Sequence, residues 1–274
     1  QSEKGKTKIK LLYSVLEFLK DWETSEEWNL KFIKIEEDAQ KKGVDNFEIR
    51  GKTQSTSFSD SIVVSVKTNN NVNEVASTLI TNLANIGSIL MEQGILIRGG
   101  ITVGNIIHHE NGIVFGQALI DAYLLETKSA IYPRIILSDK LLKEMNYPLE
   151  YKANRYPYHQ YLYRFNDGCV GFHQMILYQV VNNWTEMKAK KMILSLGKIR
   201  KTIINGLDSS FETPEIFKKY FWLKEQYEKL ILLRDWDPES KLPVSIKMKI
   251  HDLLPHNIHY SNANNFNERK ERIE

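Results

Sequence analysis

Asp60 is the carboxylate in this sequence whose surroundings favour a metal-binding role. It follows the polar run Thr53-Gln-Ser-Thr-Ser-Phe-Ser59 and precedes the β-branched run Ile62-Val63-Val64. The alternation of serine and valine after Asp60 predicts a strand with one buried face, which puts Asp60 at the end of a hairpin or strand. A carboxylate fixed there can bind a divalent cation through its oxygens. A turn-capping aspartate fits the same pattern, because Asp and Ser are common turn formers.

The elements expected around Asp60 are helices and strands in alternation. Apolar residues at helical spacing predict an amphipathic helix over residues 7–22 and a second helix from Val72 to Leu90. Two strands, Phe47–Arg50 and Ile62–Val66, are expected on either side of the polar run. The chain would therefore present Asp60 between paired strands that are backed by helices.

Further elements are expected downstream of the second helix. They are a strand over Ile95–Gly104 interrupted by Gly99 and Gly100, a hairpin over Asn105–Phe115, a helix over Gly116–Glu126, a strand over Ile135–Leu137, a short helix capped by Ser138, and a hairpin formed by Tyr158–Phe165 and Cys169–Ile176. Two long helices follow, over residues 189–207 and 216–231. The predicted domains are therefore an α/β body over residues 1–178, a helical extension over 179–254 and a polar tail over 255–274.

Composition restricts the classes of function. The formal net charge is +3, too small an excess to favour nucleic acid as the partner. Cys169 is the only cysteine, so neither an intrachain disulfide nor a thiolate metal cluster is expected. No apolar run approaches the roughly 20 residues of a membrane span, and Gln1–Lys10 lacks the apolar segment of a signal peptide. These features predict a cytoplasmic protein that does not bind membranes.

Three motifs, in this order and spacing, are similar to those of one enzyme family. They are Ser57-Phe-Ser-Asp60-Ser, Arg98-Gly-Gly-Ile-Thr-Val-Gly104, and Val114-Phe-Gly116-Gln-Ala-Leu-Ile-Asp121-Ala-Tyr-Leu-Leu-Glu126 running to Pro133-Arg134-Ile135. Together they resemble the catalytic domain of the class III nucleotidyl cyclases, in particular the pyrimidine cyclases of bacterial Pycsar anti-phage systems. The resemblance covers roughly residues 7–176. It implies an α+β, ferredoxin-like sandwich, to which the C-terminal helices would be added.

The resemblance also implies a reaction, a metal and an assembly. The family cyclises a nucleoside triphosphate with the help of two Mg²⁺ or Mn²⁺ ions held by two aspartates. Asp60 matches the second aspartate. The first belongs to a strand before the first helix, so we expect it upstream of Gln1. Because sites of this family form between two catalytic domains, a homodimer is expected.

The third motif departs from the family pattern at the positions that contact phosphate. The family's Asn and Arg correspond to positions near Ile120 and Leu124, which cannot donate hydrogen bonds. A basic group from elsewhere is therefore needed. Arg98 is the first candidate, and the other three are Lys52, Arg134 and Arg164.

Base selection departs from the purine cyclases as well. The two positions that read a purine correspond to Thr56 and a residue near Ile113, which lack the matched donors and acceptors. This favours UTP or CTP as the substrate, with hydrogen bonds from Thr56, Gln54 and Arg98 to the ring. Ser59 and Ser61, the neighbours of Asp60, complete the predicted substrate site.

Two rival functions remain open: a purine cyclase, and an inactive cyclase-fold module for nucleotide binding or dimerisation. His108 and His109 do not favour a metal site, because adjacent residues on a strand point to opposite faces. They are predicted to be ordinary hairpin residues.

Overall fold

The computed structural model describes residues 53–58, 61–68, 71–109, 111–147, 161–180 and 186–235. Within these ranges the chain is a mixture of α and β structure, with small sheets and six helices, in agreement with the α+β class. The strands are β1 (Thr53–Phe58), β2 (Ser61–Val66), β3 (Gly99–Ile101), β4 (Ile107–His108), β5 (Val114–Phe115), β6 (Arg134–Leu137), β7 (Tyr163–Arg164) and β8 (Val170–His173). The helices are α1 (Val72–Glu92), α2 (Gln117–Lys128), α3 (Asp139–Glu144), α4 (Ile176–Val180), α5 (Glu186–Ser209) and α6 (Pro214–Asp235).

The chain divides into two compact units. Unit 1 consists of Gln1–Ile80, Ile101–Leu124 and Leu137–His159, and unit 2 consists of Thr81–Gly100, Leu125–Ile136 and Gln160–Glu274. The predicted domain boundaries near residues 178 and 255 stay predictions. The helix expected over residues 7–22 and the strand expected over 47–50 lie outside the described residues.

Unit 1 contains two antiparallel hairpins, β1–β2 and β4–β5. The polar run, which was expected to link two strands, is itself the strand β1, and this corrects the prediction. Its serines and threonines pair residue by residue with β2, from Thr53 opposite Val66 to Phe58 opposite Ser61. Cross-strand pairing outweighs the polarity of the run, because strand preference depends on neighbours more than on the residue itself.

Helix α3 begins as the sequence predicts. The hydroxyl of Ser138 accepts a hydrogen bond from the backbone N–H of Leu141 at 3.1 Å, so Ser138 is the N-cap. The Ser138 N–H donates to the carbonyl of Ile101 at 2.9 Å, and its hydroxyl lies 2.8 Å from that of Thr102. These bonds fix the start of the helix against the end of β3.

The larger sheet has the strand order β3-β6-β8-β7. The hairpin of β7 and β8 is confirmed, with Gly168 at φ +85° in its turn. The strand expected over Ile95–Gly104 is wrong in extent, since only Gly99–Ile101 is paired. The reason is Gln174, whose side chain accepts from the Ile97 N–H at 2.9 Å and donates to the Ile95 carbonyl at 3.1 Å. Backbone groups that a longer strand would offer to a neighbour are bound by this side chain instead.

The hydrophobic core of unit 2 joins its sheet to the two long C-terminal helices. Helices α5 and α6 confirm the two helices predicted there, and they pack against each other. Their buried side chains form one cluster with residues from α1, β6, β7–β8 and α4; its fully buried members include Met91, Ile136, Met175, Leu196, Ile199, Leu223 and Tyr227. The helices therefore stabilise the sheet directly.

Among the described residues, no helix combines the length and the apolar character needed to cross a membrane.

Candidate functional site

The β1–β2 hairpin carries the first motif. Phe58 and Ser61 are directly paired, and the two residues between them in sequence are Ser59 and Asp60. Ser61 is exposed, whereas Gln54 is partly buried and lies opposite Ser65. Three predicted site residues, Lys52, Ser59 and Asp60, lie outside the described residues, so their roles stay predictions.

Thr56 is hydrogen-bonded to His108, which the sequence predicted to be an ordinary hairpin residue. The Thr56 hydroxyl lies 2.7 Å from Nε2 of His108, and the Ser65 hydroxyl lies 2.8 Å from Nδ1 of the same ring. Both ring nitrogens are therefore hydrogen-bonded, one to each strand of the β1–β2 hairpin. Burial lowers the pKa of His108, so the ring is neutral at physiological pH. We call these three residues the hydroxyl clamp.

The β4–β5 hairpin that carries His108 is shaped by glycine. Gly112 has φ +88° in its turn, and the Gly112 N–H donates to the His109 carbonyl at 2.9 Å. Gly116 has φ +142°, and a Cβ there would meet the backbone of Asn105 and Ile106 at 2.6 and 2.8 Å. Gly116, directly before α2, therefore has no room for a side chain, and the positive φ of Gly112 favours glycine in the turn.

Helix α2 presents apolar side chains where the resemblance would require phosphate contacts. Ile120 and Leu124 are both exposed. Asp121 accepts a hydrogen bond from the side chain of Gln117 at 2.7 Å. The helix thus adds no positive charge at these positions.

Arg98, the preferred cationic candidate, lies just before β3. Its Nε is 2.5 Å from a carboxylate oxygen of Glu126, and its side chain is 42% exposed. An ion pair with this exposure is weak, so the guanidinium remains able to exchange partners. The structure therefore leaves Arg98 accessible to an anionic ligand.

Arg134 has a different environment. Its side chain is 1% exposed, and its guanidinium binds the Asp167 carboxylate through two nitrogens and the Ser129 carbonyl at 3.1 Å. It also lies over the ring of Phe165, 4.5 Å from the centroid. A side chain bound on so many sides supports the fold of unit 2, and its contacts do not favour the predicted substrate role.

Arg164 is exposed and donates to the Gly168 carbonyl at 2.7 Å across the β7–β8 turn.

The described residues contain no group of three or more His, Cys, Asp or Glu side chains suited to hold a metal ion. The predicted metal ligand Asp60 lies outside the described residues, so the metal site stays a prediction.

No protein-family model matches the chain, and neither a curated protein nor a solved structure shows significant similarity to it. A function has to be argued from the residues and contacts of the chain itself.

Proposed function

We propose that this chain is a class III nucleotidyl cyclase that converts UTP or CTP to the 3′,5′-cyclic nucleotide and pyrophosphate. The observation that carries the proposal is the contact between strand β1, which runs into the first motif, and the β4–β5 hairpin, in which the third motif begins. Thr56 of β1 hydrogen-bonds His108 of β4, although the two residues are 52 positions apart. The resemblance assigns base selection to Thr56 and to a residue near Ile113, so it requires these two elements to meet.

The pairing of β1 with β2 supports the role of Asp60. Phe58 and Ser61 are opposite one another, which matches a hairpin whose connecting sequence is Ser59-Asp60. The resemblance needs an aspartate at this place as a metal ligand. Bound Mg²⁺ or Mn²⁺ would lower the pKa of the ribose 3′-hydroxyl and neutralise the triphosphate.

The remaining roles follow from the chemistry of each side chain. Arg98 is the cation for the phosphates, because it is accessible and its ion pair with Glu126 is weak. Thr56 and Gln54 offer hydrogen bonds to the base, and Ser59 and Ser61 flank the metal ligand. We place Lys52 among the phosphate contacts and withdraw Arg134 from them, because its guanidinium is bound to Asp167.

The base is proposed to be a pyrimidine. Thr56 offers one hydroxyl and Ile113 offers no hydrogen-bonding side chain, where purine cyclases use a pair with matched donors and acceptors. The product would be a second messenger for a companion effector in anti-phage defence, and the working form would be a homodimer.

The test is to incubate the full-length protein with each of the four ribonucleoside triphosphates and Mn²⁺, and to identify cyclic products by mass spectrometry. We expect cyclic UMP or cyclic CMP, and loss of the product in Asp60→Asn. Asp139→Asn, an exposed carboxylate in the first turn of α3, is the matched control and should keep wild-type activity.

Each rival function predicts a different result. A purine product would identify a purine cyclase of the same fold. Nucleotide binding without turnover would identify an inactive binding or dimerisation module. Wild-type turnover by Asp60→Asn would overturn the proposed role of that carboxylate.

A further inference from the structure

The buried side chain of Gln174 binds both helix α1 and the segment between α1 and β3. Its Oε1 accepts from the Ile97 N–H at 2.9 Å, and its Nε2 donates to the carbonyls of Ile95 at 3.1 Å and Gly87 at 2.8 Å. Gln174 is 3% exposed, and its carbonyl oxygen and its amide nitrogen are both bound. One amide therefore fixes the segment before β3 against α1.

Close packing fixes the position of this amide in turn. A Cβ added at Gly87 would lie 3.2 Å from Cγ of Gln174 and 3.4 Å from Cδ1 of Ile97, so the glycine leaves the room that these two side chains occupy. Gln174 directly follows β8, which lies between β6 and β7 in the larger sheet. The amide is thus anchored in the sheet and held against the helix.

Arg98 directly follows the segment that Gln174 binds. The next two residues, Gly99 and Gly100, begin β3 and restrict the backbone less than other residues would. The Arg98 side chain is 42% exposed, and its ion pair with Glu126 is weak. The direction in which the guanidinium leaves the chain therefore depends on the bonds that Gln174 makes to the preceding segment.

We propose that Gln174 is a positioning residue for catalysis, which fixes where the guanidinium of Arg98 meets the phosphates. This inference rests on the proposed function, in which Arg98 is the cation for the triphosphate. A cation stabilises a transition state best when it is already in place, and a displacement of about 1 Å can cost about 100-fold in rate. A glutamine that only stabilised the fold would affect the rate no more than other buried residues do.

The first experiment measures kcat for the pyrimidine triphosphate in variants of the full-length chain. Gln174→Met keeps an unbranched side chain of similar length but lacks the amide, so kcat should fall about tenfold. In Arg98→Ala the same substitution should change kcat by less than about twofold, because the residue through which it acts is gone. Ile199, which is fully buried on α5, provides the control: Ile199→Val should lower stability and leave kcat unchanged.

Gly87→Ala tests the same contact without removing the amide. Its Cβ would crowd Gln174 and Ile97, whereas alanine favours the helix, so the variant is expected to fold. We expect kcat to fall about threefold, less than in Gln174→Met, because the amide is displaced and not lost. Should Gln174→Met not fold, Gly87→Ala serves for the same comparison with and without Arg98.

The second experiment follows the guanidinium without catalysis. The NMR signal of the Arg98 Nε–H group, identified by its loss in Arg98→Lys, reports the ion pair with Glu126. We expect this signal to shift in Gln174→Met and in Gly87→Ala, and to keep its position in Ile199→Val.

Together the two experiments distinguish failure of this inference from failure of the proposed function. If the wild type is active and Gln174→Met keeps its kcat, or lowers kcat equally with and without Arg98, the inference alone is overturned. If the wild type makes no cyclic nucleotide, the proposed function fails. An Arg98 signal that Gln174→Met leaves unchanged then overturns the positioning as well, whereas a shifted signal still supports it.

Discussion

The guanidinium of Arg134 and the carboxylate of Asp167 form a bidentate ion pair between β6 and the β7–β8 turn. The arginine side chain is 1% exposed and the aspartate side chain is 41% exposed. The hydrogen bonds from Arg134, together with its charge, lower the pKa of Asp167. A buried cation is stable here because one partner remains at the surface and brings a full countercharge.

Removing the countercharge is expected to destabilise unit 2. Asp167→Asn would leave the Arg134 guanidinium buried without an anion, at a cost of about 2 kcal/mol in the free energy of unfolding. This is below the usual range for a buried pair, because the exposed aspartate is already partly screened. Urea titration at neutral pH measures the change. Asp121→Asn, on the surface of α2, should change stability by less than about 0.5 kcal/mol, and equal losses would refute the special role of Asp167.

His173 predicts how stability depends on pH. The ring is fully buried at the end of β8, its Nδ1 accepts from the Met175 N–H at 3.1 Å, and burial lowers its pKa to about 3. An unfolded chain protonates this residue near its ordinary pKa of 6.5, but the folded chain cannot. The contribution of the neutral His173 ring to stability is therefore fully present above about pH 6.5, and it is lost as the pH falls towards 3. At pH 5 the loss relative to pH 7 should be about 2 kcal/mol.

A variant that cannot be protonated at position 173 isolates this effect. His173→Asn keeps an acceptor near the position of Nδ1 but gains no proton, so its free energy of unfolding should fall less between pH 7 and pH 5. In the control His109→Asn, which changes an exposed histidine, the free energy of unfolding should fall between pH 7 and pH 5 by as much as in the wild type. Parallel pH profiles for wild type and His173→Asn, from urea unfolding, would exclude His173 as the source.

Local patterns predicted the helices and turns because those structures are determined by neighbouring residues. The spacing of apolar side chains predicted α1, α5 and α6, and Ser138 identified the start of α3. The turn before Cys169 was predicted from Asn166-Asp-Gly168. In each case the determining residues lie within a few positions of one another.

Contacts between distant residues could not be predicted in the same way. Thr56 and Ser65 lie 52 and 43 positions from His108, and nothing in their local sequence indicates that they meet. Strand β1 was missed because its polar residues gain their pairing from β2. The strand expected from Ile95 begins later than predicted because the Gln174 side chain binds the backbone of Ile97, and Gln174 lies far along the chain from that residue. Asp60, Ser59 and Lys52 stay predictions from the sequence.

The packing of α5 against α6 depends on one glycine. A Cβ at Gly206 would lie against three ring carbons of Tyr220, Cδ1, Cε1 and Cζ, well within contact distance. Gly206→Ala should therefore separate the helices and cost about 1 to 3 kcal/mol in the free energy of unfolding. Gly197 lies on the same helix, and a Cβ added there would have no neighbouring atom within 4 Å. Gly197→Ala should therefore stabilise the protein by about 0.5 to 1 kcal/mol.

The two glycine variants are compared by thermal or urea unfolding. Opposite signs are expected, because helix propensity favours alanine at both positions and only Gly206 faces a ring. A stabilising Gly206→Ala would mean that α6 can move away at little cost.

Arg98 provides a test of catalysis that is independent of stability. If its guanidinium neutralises charge on the phosphates, Arg98→Ala should lower kcat for the pyrimidine triphosphate by about 100-fold or more. Its ion pair with Glu126 is 2.5 Å long but partly exposed, so the free energy of unfolding should change by less than about 1 kcal/mol. Initial rates and unfolding curves measure the two quantities.

Glu126→Gln is the matched control for Arg98, because it breaks the same ion pair and leaves the cation in place. Its kcat should stay near the wild-type value, since the phosphates and not Glu126 are the proposed partner of the guanidinium. Arg98→Lys should recover part of the activity, because a lysine keeps the charge but loses the planar pair of donors. If Glu126→Gln lost as much activity as Arg98→Ala, the ion pair itself would be the required feature, and the role of Arg98 would be structural.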